Sequence, residues 1–182
     1  MTIPTRIGGA ILTNVSELVL TNLSADYIKY KLIFSGLVAV SDTQTNLVIR
    51  TSTNNGTSFT SSSNAYAIRL QRSSGTDSRT INYVVFSTMA QAVNAVSNTS
   101  GNFISGTIEI FEPVNANVST IFLTRSNGRV NADSDASNPQ VQDVWARREA
   151  QESNNAIGIF AISDAAVASN FSMQYVLYGY EA

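Results

Sequence analysis

The stretch YIKYKLIFSGLVAV (27–40) sets Ile28, Tyr30, Leu32 and Phe34 alternately with Lys29, Lys31 and Ile33. Successive side chains of an extended chain point to opposite faces, so a period of two puts the first set in a core and the lysines in water. That is the signature of a half-buried strand. Short runs of the same kind recur at 15–23, 47–52, 65–72, 81–88, 103–111, 118–124, 155–163 and 171–180. Most are rich in β-branched or aromatic residues and are bounded by Gly, Asn, Asp, Pro or Ser, the punctuation of antiparallel strands. Parallel strands covered on both faces would read as unbroken apolar runs separated by crossover helices. The alternation therefore predicts an all-β protein: an antiparallel β-sandwich of about nine strands with little helix.

Helical spacing is scarce. TMAQAVNAVSN (88–98) and VQDVWARREAQ (141–151) are the two candidates, and the second also runs as a strand. The low-complexity patches at 51–64 and 131–140 are loops, because apolar strands resume directly after each. With 182 residues and no repeat, the chain forms one sandwich domain over 13–182. Residues 1–12, MTIPTRIGGAIL, precede it as an extended segment that would serve as an anchor on docking.

Composition narrows the chemistry. The chain has neither Cys nor His, which removes disulfides, thiolate nucleophiles, imidazole bases and nearly every transition-metal site. A serine nucleophile would lack its base, and no Gly-x-Ser-x-Gly elbow occurs. The thirteen acids fall mostly in loops or on outward positions; Glu109 and Glu112 are three apart, which in a strand sends them to opposite faces. No catalytic residue, cofactor or metal is expected, and the chain is read as a non-enzyme. Oxygens at Asn131, Asp133, Asp135 and Ser137 have a spacing that can wrap Ca²⁺, but Ala136 and Gln142 stand where an EF-hand needs Gly and Glu, so a solvated loop is the expectation there. The net charge is −2 with no cluster of Lys or Arg, which argues against nucleic acid. No apolar run approaches the roughly 20 residues of a membrane-spanning helix, so insertion into a membrane is not expected.

Binding is what remains, and six residues are candidates for contact with a receptor. Asn54 and Asn55 lie in the Asn-Asn-Gly turn after the strand at 47–52; Phe59 follows, where it is also expected to tuck back as a plug over the sandwich edge. Trp145, with Arg147 and Arg148 beside it, is the aromatic expected to project from the surface. The polar loops 52–64, 73–79 and 126–140 would carry the rest of such a surface.

Four pieces of the chain resemble a family of bacteriophage virion proteins found as tail-fibre or tail-associated domains. They are LSADYIKYKLIFSGLVAVSD (23–42), LVIRTSTNNGTSF (47–59) with Tyr66 following, ISGTIEIFEP (104–113) and FSMQYVLYGY (171–180), in that order. Where the family has Asp-Gly-Gly, this chain has Asn54-Asn55-Gly56, which keeps the turn chemistry. The resemblance implies a jelly-roll-like sandwich and a structural, adhesive role in a virus particle assembled in the host cytoplasm. Its implied partners are other virion proteins, further copies of itself as a homotrimer, and a glycan or protein on the host surface. A capsid decoration or head-spike protein is the alternative within the virion; a carbohydrate-active enzyme or a lectin is the alternative outside it.

Overall fold

Extended chain of the kind expected at 27–40 makes up most of the described residues. A computed structural model describes residues 3–40, 45–62, 65–74, 79–87, 89–96, 98, 103–129, 139–163 and 169–181. Among these residues lie twelve strands and no helix: β1 (Thr5–Val15), β2 (Glu17–Leu20), β3 (Tyr27–Ala39), β4 (Thr45–Ser52), β5 (Tyr66–Ser74), β6 (Arg79–Ser87), β7 (Ala90–Val96), β8 (Ile104–Phe111), β9 (Ser119–Arg129), β10 (Pro139–Gln151), β11 (Ala156–Ser163) and β12 (Phe171–Glu181).

They form two sheets, one of eight strands in the order β1-β12-β3-β8-β9-β10-β5-β6 and one of four in the order β2-β11-β4-β7. Every neighbouring pair runs antiparallel. Setting aside two inserted hairpins, β5–β6 and β9–β10, leaves eight strands whose spatial orders are first-eighth-third-sixth and second-seventh-fourth-fifth. That is the jelly roll. The insertions meet each other along the β10–β5 seam and join the jelly roll along β8–β9, so they double the width of one sheet only.

All nine expected strands are present. Three more exist. The segment read as an extended anchor enters β1 at Thr5 and pairs with β12, from Thr5↔Gly179 to Val15↔Phe171. The helical candidate at 88–98 contains β7, and the ambiguous run at 141–151 belongs to β10.

One core lies between the sheets. Tyr30, Leu32, Phe34 and Leu37 of β3, with Ile108 and Ile110 of β8, face Leu47 and Ile49 of β4 and Ile157 and Ile159 of β11. Burying each such side chain contributes about 1.5–3 kcal/mol. The Tyr66 hydroxyl, at the margin of this core, is partnered: it accepts the Thr51 N–H at 2.8 Å and bonds Thr51 Oγ1 at 3.1 Å. Burial, the largest influence, pushes its pKa above the usual 10.0 despite those bonds. Gly36, at φ +66°, sits where the β3–β8 register slips between Phe34 and Leu37, a bulge that bends the large sheet.

Candidate functional site

The inner face of the large sheet packs on the small one, and its other face is open. Cross-strand register arranges that open face into rows of side chains. One row runs Tyr180–Lys29–Phe111–Ile121–Arg147, the next Tyr178–Lys31–Glu109–Leu123–Trp145–Arg69, and a third Val176–Ile33–Thr107–Arg125–Asp143–Gln71. Along β10 the exposure alternates strictly from Val141 to Arg148, so Val141, Asp143, Trp145 and Arg147 all look outward.

Charges on this face are matched locally. Lys31 lies 3.1 Å and Lys29 3.9 Å from Glu109, and Arg125 is 3.6 Å from Asp143. Arg147 grips Glu149 through Nε and Nη2 at 3.0–3.1 Å. The Lys29 ammonium also stands 4.2 Å above the Tyr180 ring. What remains is a mixed surface with Trp145 (38% exposed), Val141 (52%) and Ile33 (43%) as apolar islands between paired charges. Three open depressions score it: about 390 Å³ between Ile11, Ile33 and Gln174, about 490 Å³ between Ile33, Thr107, Arg125 and Val141, and about 160 Å³ beside Trp145, Leu123 and Gln71. Such a surface can offer stacking, apolar contact and neutral hydrogen bonding at little electrostatic cost of approach.

The six sequence candidates divide three ways. Trp145 and Arg147 share the open face. Arg148, the next residue, points inward and is 7% exposed; its guanidinium holds Glu152 at 2.8 Å and the Ala65 carbonyl at 2.9 Å, and lies 5.5 Å from the Tyr66 ring. It is an internal brace and makes no part of the open face.

Asn54, Asn55 and Phe59 belong to a loop folded over the outer face of the small sheet. Asn55 and Gly56 both take the left-handed conformation, at φ +57° and +88°, as an Asn-Gly turn requires. The Asn55 side chain is committed within the fold: its Oδ1 accepts the Asn22 N–H at 2.7 Å and its Nδ2 donates to Asn22 Oδ1 at 2.9 Å. Asn155 Oδ1 accepts the Asn55 N–H at 2.7 Å. Asn54 Oδ1 accepts from Ser52 Oγ and the Ser58 N–H at 2.8 and 2.9 Å. Phe59 does turn back on the sandwich, but onto the sheet's outer face instead of an edge, where its ring meets Phe160 edge-on at 5.0 Å. Three loops are thereby stitched to one end of the sandwich.

Sequence reasoning did not bring Leu123, Arg125, Asp143, Tyr178 and Tyr180 onto one face with Trp145. The signal was parity within each strand, but parity assigns a face only once the pairing is known. The Ca²⁺ alternative at 131–137 lies outside the described residues, as do parts of the loops 52–64, 73–79 and 126–140. Among the described residues, no three Asp or Glu side chains stand close enough to hold a metal ion. No protein-family model matches the chain, and neither the curated proteins nor the solved structures yield a match.

Proposed function

We propose that the protein is a structural component of a bacteriophage virion, in a tail fibre or receptor-binding part, and that it acts by adhesion. The observation that carries this is the one-sided enlargement of the jelly roll. Two hairpins from distant parts of the chain widen a single sheet, and their outward side chains, Trp145 and Arg147 among them, extend an open face that the core does not need. The sequence resemblance to phage tail-associated domains supports the virion context.

On this reading the partners are other virion proteins on one side and a host surface glycan or protein on the other. Individual contacts of a neutralised surface are weak, and several copies on one particle add them into avidity. Immunogold electron microscopy with antibodies to the recombinant protein tests the placement. Label confined to tails is expected. Label spread over heads would reassign the protein to capsid decoration, and unlabelled particles would refute a virion role altogether.

A further inference from the structure

β1 is one edge of the large sheet, with β12 on one side and no described strand on the other. It is eleven residues long, and eight of them are exposed. Edge strands normally carry protection: shortness, lysines, a proline or a bulge that spoils further pairing. β2, at an edge of the small sheet, is protected by its length of four residues. β1 has a single charge, Arg6, and its register slips lie between Arg6 and Gly8 and between Leu12 and Val15. From Gly8 to Leu12 the strand is regular, with a row of backbone groups facing away from β12. Exposed isoleucines line it: Ile11 at 78%, Ile7 at 44% and, just before the strand, Ile3 at 85%.

We propose that β1 pairs edge to edge and antiparallel with β1 of a second copy, joining two large sheets across a two-fold axis. Such a contact is self-complementary: each copy brings the same unpaired backbone row and the same isoleucines, and both are covered at once. Charge favours it too. With the axis at Gly9, each Arg6 falls opposite Leu12, and the two guanidinium groups stand at opposite ends of the ribbon. The outward faces then become continuous across the axis, doubling the open surface in one assembly. A two-fold pair takes the place of the trimer implied by the resemblance.

Light scattering across a concentration series should give twice the chain mass of 19.5 kDa. The double variant I3K/I11K alters two largely exposed side chains. It should return the mass to a single chain while circular dichroism and melting temperature stay as in the wild type. Because the chain has no cysteine, a nitroxide on Ile11→Cys reports one site per copy. From the strand rise and spacing, paired labels should lie within about 25 Å of each other. A wild type of one or three chains, a double variant that still dimerises, or labels farther apart than that would overturn the proposal.

Discussion

Gly158 is where the seating of the loop over the small sheet can be tested by adding one carbon. A methyl group there would stand 2.5 and 2.6 Å from two ring carbons of Phe160 and 2.7 Å from Cε1 of Phe59. Carbon atoms in contact sit about 3.5–4.0 Å apart, so each ring must retreat by about 1 Å. Phe160 is held by its own strand, and Phe59 rides on the loop, so the loop yields. Overpacking of this size costs about 1–3 kcal/mol and the weakened ring pair about 0.5–1.5 kcal/mol. We take about 2 kcal/mol for Gly158→Ala, which for a chain of this length lowers the melting temperature by about 4–8 °C. Phe59→Ala removes a half-buried ring and costs about 2 kcal/mol by itself, near half the value for a fully buried one. In the double variant the Phe160 ring can tilt into the space Phe59 has left, which relieves its own clash with the methyl as well, so the total stays near 2–2.5 kcal/mol, a coupling of about 1.5 kcal/mol. Urea denaturation of the four proteins measures this, and chymotrypsin should cut after Phe59 in Gly158→Ala well before it cuts the wild type. Strictly additive losses, or a loop equally resistant to chymotrypsin in both, would refute the seating.

Three further outcomes are expected. Glu152→Gln leaves the buried Arg148 charge without its carboxylate and should cost about 3 kcal/mol in urea denaturation, whereas R148M/E152Q, which removes both charges, should recover most of that loss. The raised pKa values of Tyr30, Tyr66 and Tyr175, all driven first by burial, mean that the native state keeps protons the unfolded chain releases above pH 10.0; stability contributed by these groups is whole below that pH and should fall as pH rises beyond it, a decline that Tyr66→Phe makes shallower. If the open face is adhesive, Trp145→Ala should weaken binding of the protein to host cells by about tenfold or more, with a smaller loss of melting temperature than Phe59→Ala.

Most strands legible in the sequence show clean alternation, and the three it left unassigned were missed for separate reasons. In β7 the described side chains, Ala90, Ala92, Val93 and Val96, are buried. Register slips on either side of Val93 break the period of two into steps that imitate a helix turn, and alanine favours that misreading. β10 has inverted polarity: Gln142 and Arg148 face inward while Val141 and Trp145 face outward, so its hydrophobic pattern cancels. β1 is exposed along most of its length and offers no apolar period at all. The same alternation explains the candidate residues. Adjacency in sequence groups Arg147 with Arg148, yet neighbours in a strand look opposite ways. As polar loop residues Asn54 and Asn55 look available to a receptor, but their hydrogen bonds close the loop instead, and nothing local in the sequence names Asn22 or Asn155 as partners. The open face could not be assembled in advance because its rows join residues as distant as Lys29 and Tyr180.

The last strand of the chain does not lie at a margin. β12 sits between β1 and β3, so β1 has no described neighbour in its sheet until residues 171–181 have left the ribosome. Until then β3 also presents an unpaired row of backbone N–H and C=O groups, and closure between Thr5 and Gly179 must bring together residues 174 positions apart. Chains with such distant pairings assemble slowly and are prone to clump while they wait. Folding is therefore governed by β12: a nascent chain stalled before Phe171 carries most of the core side chains and lacks the strand that joins β1 to β3.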